Sequence, residues 1–211
     1  MGYVETAAID RLLQPFIQLD ETRLRAISTY IDLLLKWNAR MNLTAIREPN
    51  EIVQRHFGES LFAAKYLLDQ HAPQTAIDLG SGSGFPGVPF AMLAPEAQVT
   101  LIESQQKKAT FLKELLHALG LKNMKVFGDR AESYTQTADL VMLRAVEKFE
   151  QVLPMAVRLT SGGGRIALMI GTGQAEAARR VGKGVNWGDA VPIPCSNSRE
   201  LLVGARVIKV E

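Results

Sequence analysis

The sequence contains one cysteine, three histidines and no long apolar run, and each scarcity removes a class of function. With Cys195 alone, no internal disulfide, cysteine-based zinc cluster or Cys-x-x-Cys redox pair can be built, so a reducing cytoplasm is the expected compartment. His56, His71 and His117 lack partners at ligand spacing, and no metal site is expected. No uninterrupted apolar stretch approaches the ~18 residues of a membrane span, and the N-terminal segment lacks a charged-then-apolar signal pattern; no membrane partner is expected. A dominant charge is missing too: 24 Lys and Arg face 22 Asp and Glu, a net charge of +2. That balance does not identify a nucleic-acid binder, although local basic clusters could still form a footprint.

What is present is ordinary globular material. The 211 residues, 47% hydrophobic and 22% charged, suit one domain or one domain with an appendage, without internal repeats or low-complexity tracts. Ile9, Leu12, Leu13, Phe16 and Ile17, then Leu24, Ile27, Ile31, Leu34 and Leu35, recur at helical spacing, with Asp20 as a candidate N-cap between them. Residues 51–68 predict a further amphipathic helix. From Thr75 the period changes. Short apolar runs at 76–79, 99–102, 125–127, 140–143 and 165–170 alternate with helical stretches, the clearest being 107–119 with Gly120 as its stop. Alternating strand and helix predicts an α/β fold, a mainly parallel sheet with helices on both faces. The expected division is a helical extension over 1–72 and a ligand-binding domain over 73–211, ending in a β-hairpin within 184–211.

Residues Ala76 to Gly87 read Ala-Ile-Asp-Leu-Gly-Ser-Gly-Ser-Gly-Phe-Pro-Gly, an apolar strand running into a glycine-rich turn, with Glu103 closing the next apolar run. Gly80, Gly82 and Gly84 permit positive φ and a close backbone approach to a ligand. Two cofactors fit. Gly82-x-Gly84-x-x-Gly87 with Glu103 about 20 residues on satisfies the dinucleotide pattern, so NAD remains open. S-adenosylmethionine is favoured by Asp78, placed to hold the ligand's ammonium, and by Phe85-Pro86, which obstructs a flat pyrophosphate. In a parallel sheet ligands bind beyond the carboxyl ends of the strands, where Asp78, Glu103, Asp129 and Arg144 fall together.

Trp37-Asn38 with Asn42-Leu43-Thr44, Arg55-His56-Phe57 with Glu59-Ser60-Leu61, the Asp78 to Gly87 loop, Lys108 with Phe111-Leu112, Arg130-Ala131-Glu132 and Arg144-Ala145-Val146 occur in this order. The series resembles the bacterial glucose-inhibited division protein B family, small-subunit (16S) ribosomal RNA 7-methylguanosine methyltransferases. Two positions depart from that family's habit: Glu59, where Asp is usual, and Leu143, where Ser often precedes Arg-Ala. The resemblance implies a class I S-adenosylmethionine-dependent methyltransferase fold, Rossmann-like, with an N-terminal helical extension. It implies cofactor contacts at Gly80 and Phe85, at Glu103, Ser104 and Gln105, at Ala131 and Glu132, and at Arg144, to which Asp78 and Gly82 are added from the loop. Glu103 would accept the ribose hydroxyls and the segment at Ala131 and Glu132 would meet the adenine edge.

Guanine N7 carries a lone pair and no proton, so its methylation needs alignment rather than a general base or a nucleophile. The absence of a triad or an activated cysteine is consistent with that chemistry. Arg144 is the expected catalytic residue, holding the cofactor or the guanine. The expected RNA contacts are Arg40, Arg47, Arg55, Lys107, Arg144 and Arg180, since arginines hold phosphates and stack on unpaired bases. The expected partner is 16S ribosomal RNA or the small subunit, met by a monomer. A non-catalytic RNA-binding assembly factor and an NAD-linked oxidoreductase are the competing readings.

Overall fold

The computed structural model describes residues 4–144 and 149–208. Helices α1 (Thr6–Leu13) and α2 (Glu21–Asn38) open the chain. Asp20 caps α2 by accepting a hydrogen bond from the Arg23 amide at 2.8 Å, which satisfies one donor that the first turn leaves free. The helix buries Leu24, Ile27, Tyr30, Ile31, Leu34 and Asn38 along one stripe. Asn38 is buried because its Oδ1 accepts from the amides of Leu43 and Thr44 and so fixes the turn after the helix. This explains the spacing between the Trp37-Asn38 pair and Leu43-Thr44.

The next helix changes pitch as it runs. A short α3 (Pro49–Glu51) passes into a π-helix over Ile52–Gly58 and then into α4 (Glu59–Gln70). Gly58 is required there, since a Cβ would lie 2.6 Å from the Phe16 ring.

The sheet begins with β1 (Thr75–Leu79) and continues as β2 (Gln98–Ile102), β3 (Met124–Phe127), β4 (Ala138–Arg144) and β5 (Thr160–Gly171), closed by β6 (Val185–Pro192) and β7 (Arg199–Arg206). Its order is β3-β2-β1-β4-β5-β7-β6, with the first five strands parallel and β7 antiparallel to both of its neighbours. The expected hairpin is therefore present, with its second strand inserted beside β5; residues 209–211 of that expectation lie outside the described residues. Helix α5 (Gly87–Leu93) follows the glycine loop, α6 (Gln106–Leu119) follows β2, and α7 (Phe149–Leu159) and α8 (Ala175–Val181) flank β5. Gly120 ends α6 in the left-handed region at φ 64°, with the Leu121 amide bonded back to the Leu116 carbonyl.

Two apolar clusters sandwich the sheet. One joins α1, α2, α4, α5 and α6 to the face carrying Val99, Leu101, Leu140 and Met142. The other seats α7 and α8 against Ile77, Val141, Leu143, Ile166 and Leu168. The helices before β1 thus share a core with the sheet, and the expected boundary at residue 73 falls in the connection between α4 and β1. Leu143 is 1% exposed in the second cluster, an apolar environment that accounts for its side chain.

Candidate active site

The parallel register aligns the strand ends. Leu79 pairs with Ile102 and Asp78 with Met142, so the chain leaves β1, β2 and β4 at one edge of the sheet. The amides of Gly80 and Ser81 both donate to the Ile102 carbonyl at 3.0 Å, folding the glycine loop over the end of β2. Gly80, Gly82 and Gly84 all adopt positive φ, at 76°, 55° and 95°. At Gly80 no atom lies within 4 Å of where a Cβ would project, so the backbone faces open space.

That space is a cleft of about 270 Å³. Of the expected cofactor contacts, Gly80, Glu103, Ser104, Ala131 and Glu132 line it, Ala131 and Glu132 from a 3₁₀ turn (Ala131–Ser133). Leu79, Ile102, Asp129, Gln151, Val152 and Met155 complete the lining. The apolar contribution of α7 was not singled out in the sequence, because helical periodicity marks Val152 and Met155 only as core-facing. Asp129, at its strand end, accepts from the Arg130 amide through Oδ1 at 2.7 Å and from Ser133 Oγ through Oδ2.

Other expected contacts sit elsewhere. Glu103 is buried, and its carboxylate ties two loops together: Oε2 accepts from the Gly82 amide at 2.9 Å and Oε1 from the Gln105 amide at 2.8 Å. Gly82 and Gln105 therefore support Glu103 and lie outside the cleft lining. Any ribose hydroxyl must share the carboxylate oxygens with these amides. Phe85 does not present its ring to the cleft. It is packed between Tyr30 and His56, stacked at centroid distances of 5.0 and 4.9 Å, because an aromatic side chain beside the helical layer gains more from burial than from solvent. The expectation that this ring obstructs a pyrophosphate is corrected accordingly.

Asp78 is fully buried. Its Oδ2 accepts from the Gly87 amide at 2.9 Å at the start of α5, and Gly87 has no room for a Cβ, which would lie 2.6 Å from that oxygen. Oδ1 is buried without a hydrogen-bond partner, the neighbouring Ser81 hydroxyl being committed to the Asp78 main-chain carbonyl. Burial pushes the Asp78 carboxyl up to about 7, against the opposing pull of the Gly87 amide.

Arg144 also departs from expectation. Its guanidinium turns to the helical layer, donating to Glu59 Oε2 at 2.9 Å, to His56 Nδ1 at 2.7 Å and to the Arg55 carbonyl. The acceptor role of Nδ1 leaves the His56 proton on Nε2, which donates to Thr44 Oγ1 at 2.8 Å. Burial, with the charges of Arg144 and Arg55, lowers the His56 pKa to about 3, so the ring is neutral. Glu59, 4% exposed, supplies the carboxylate that a buried guanidinium requires. Arg144 is thus committed inside the protein and is not a free phosphate contact. Ala145 and Val146 of the same motif lie outside the described residues.

The remaining cations do not form one surface. Arg40 and Lys107 share a groove between the end of α2 and the start of α6. Arg47 is exposed after that turn, and Arg55 is half-exposed and paired with Glu51 at 3.1 Å. Arg180, on α8, lies across the sheet from these residues, since α8 packs in the opposite cluster. Among the described residues no group of three or more His, Cys, Asp or Glu is placed to hold a metal ion, and no helix is long and apolar enough to cross a membrane.

A profile of one family, described as rRNA small subunit methyltransferase G, matches residues 23–186. The chain belongs to that family. Ribosomal RNA small subunit methyltransferase G of Xanthomonas euvesicatoria is 36% identical over 190 residues, 89% of this chain and 87% of that protein. The protein of the same name from Oenococcus oeni is 36% identical over 159 residues, 72% of this chain and 66% of that one. Among solved structures, a SAM-dependent O-methyltransferase from Thermotoga maritima superposes with a TM-score of 0.58 at 19% identity, covering 86% of this chain and 72% of that chain. The fold is that of the class I S-adenosylmethionine-dependent methyltransferases. In this member of the methyltransferase G family the strand-end cleft lies where such folds bind ligands, outside the carboxyl ends of the strands.

Proposed function

We propose that this chain transfers the methyl group of S-adenosylmethionine to N7 of a guanine in small-subunit (16S) ribosomal RNA. One observation carries the choice of cofactor: among the described residues Glu103, Asp129 and Glu132 line the cleft and no lysine or arginine does. A pyrophosphate would meet three carboxylates without a counter-charge, whereas a sulfonium and an ammonium suit that field. This weighs against the NAD-linked reading. The open space beside Gly80 also fits a ligand approaching the loop, while Asp78 is fully buried outside the cleft lining.

On this reading Glu103 accepts from the ribose, the Asp129 and Ala131–Ser133 segment meets the adenine, and Leu79, Ile102, Val152 and Met155 provide the apolar walls. S-adenosylmethionine supplies the electrophilic methyl group; the protein orients the guanine so that its N7 lone pair lies in line with the methyl–sulfur bond. An acceptor with no proton to remove needs no general base. Arg144 serves as a positioning residue here, fixing the π-helix against β4, because its guanidinium cannot reach guanine O6 without releasing Glu59 and His56.

Mass-spectrometric mapping of modified nucleotides in 16S ribosomal RNA, from cells with and without this protein, tests the proposal. One 7-methylguanosine should disappear with the protein and return with its expression. An unchanged map would overturn the reading.

A further inference from the structure

The groove between α2 and α6 lies beside the cleft without belonging to it. It has a volume of about 390 Å³ and is lined by Lys36, Trp37, Arg40, Met41, Lys107 and Thr110. Three of these are cations and none is an acid. The ion pairs among the described residues leave Arg40 and Lys107 without a carboxylate partner. Trp37 is held in place on two sides: its Nε1 donates to Glu114 Oε2 at 3.0 Å, and its ring meets Phe111 edge-on with centroids 5.8 Å apart. An indole fixed in this way loses little conformational entropy when a flat partner stacks on it.

The location adds to the chemistry. Lys107 stands in the first turn of α6, shortly after Ser104 in the cleft, and the intervening chain spans at most about 11 Å. The first-turn amides of α6 have no side-chain cap, so the positive end of the helix adds to the local field. An aromatic platform with flanking cations matches the way single-stranded nucleic acid is held, by stacking on the base and by charge on the phosphates.

Resting on the function proposed above, we propose that this groove seats an unpaired nucleotide of the RNA next to the target guanine, its base against Trp37 and its phosphates between Arg40 and Lys107. The groove then sets the register in which the neighbouring guanine enters the cleft.

The test uses the full chain and an unstructured RNA oligonucleotide. Trp37 and Trp187 are the two tryptophans, so Trp187→Phe leaves Trp37 as the reporter. RNA should quench its fluorescence to saturation. The double variant Arg40→Gln with Lys107→Gln should weaken RNA binding about tenfold and, at roughly 0.7 per phosphate lost on a single strand, flatten the salt dependence by about 1.4. Its affinity for S-adenosylhomocysteine should change less than twofold. Trp37→Ala should weaken RNA binding about tenfold, while Trp37→Phe, which keeps a stacking ring and the packing on Phe111, should stay within threefold. Unquenched Trp37 at saturating RNA, or an unchanged KM for RNA in the double variant, would show that the groove does not hold the substrate, as would quenching by a ribosomal protein but not by RNA. Such a result in an enzyme that still methylates its ribosomal RNA would leave the proposed function standing; loss of methylation by the unaltered chain would instead remove that function.

Discussion

Tyr30 donates its hydroxyl hydrogen to the backbone carbonyl of Ser83, joining the second helix to the glycine loop across 53 residues of sequence. Burial raises the Tyr30 pKa well above its ordinary value, so the donor keeps its proton. The ring also stacks on Phe85 and meets Phe57 edge-on, both at 5.0 Å. Helix α2 is in this way built into the wall behind the glycine loop.

Tyr30→Phe keeps the stacking and removes the hydrogen bond. Leaving the Ser83 carbonyl buried and unpaired should cost about 1–3 kcal/mol in urea unfolding. Calorimetry should also show several-fold weaker S-adenosylhomocysteine binding. A variant as stable as the parent, with equal affinity, would mean that the helix does not hold the loop.

The glycines of the loop should respond unequally. Gly80→Ala meets no neighbour and carries only the strain of a side chain at φ 76°, on the order of 1–2 kcal/mol. Gly84→Ala adds a Cβ 2.4 Å from the Tyr30 hydroxyl, so its loss of stability should exceed that of Gly80→Ala by at least about 1 kcal/mol. Gly80→Asp should remain folded by circular dichroism yet lose cofactor binding, because its carboxylate projects into the cleft. Equal stabilities for the two alanine variants would contradict this geometry.

Glu103→Ala frees the amides of Gly82 and Gln105 together. Both loops bordering the cleft then lose their shared acceptor, and S-adenosylhomocysteine affinity should fall at least about tenfold, with hydrogen bonds to a charged group contributing about 1.5–3 kcal/mol each. A loss below twofold in titration calorimetry would place Glu103 outside the binding machinery.

Two buried groups act in opposite directions on the pH dependence of stability. The folded-state pKa of Asp78 is raised to about 7 from 3.8, so the folded protein holds the extra proton between those values and stability falls as pH rises through that window. The pKa of His56 is lowered to about 3 from 6.5; the unfolded chain holds the extra proton there, and stability is lost as pH falls below about 6.5. Between about pH 4 and 6.5 the two slopes oppose each other. Relative to the parent, Asp78→Asn should therefore gain stability with rising pH, and His56→Asn should lose it. Urea midpoints at pH 4.5, 5.5 and 6.5 for the three proteins read this directly, and parallel curves would refute both assignments.

Most of the frame is legible in the sequence. The five parallel strands, the cap at Asp20, the stop at Gly120 and the positive-φ glycines follow from local rules: periodicity, capping chemistry and the conformational freedom of glycine. Glu103 and Asp129 at the cleft were legible because strand ends in a parallel sheet must converge at one edge, and Gly80 from the glycine-rich turn, whereas Ser104, Ala131 and Glu132 were implied by the family resemblance. Arg144 and Phe85 were placed at that same edge correctly, but the direction of their side chains was not a local property. It depended on what the helical layer offered: three acceptors for the guanidinium and three rings for the phenyl group.

The sequence by itself determined the family, the α/β order of elements and the residue types able to bind a cationic nucleoside, because these depend on pattern and spacing along the chain. Only the tertiary structure decided which polar groups remain available to a ligand. A buried charge goes to whichever partner best compensates its lost hydration, so Glu59 and His56 take Arg144, Gly87 takes one oxygen of Asp78, and Gly82 with Gln105 take Glu103. Those partners lie from a few to many tens of residues away along the chain, and folding alone brings them within hydrogen-bonding distance.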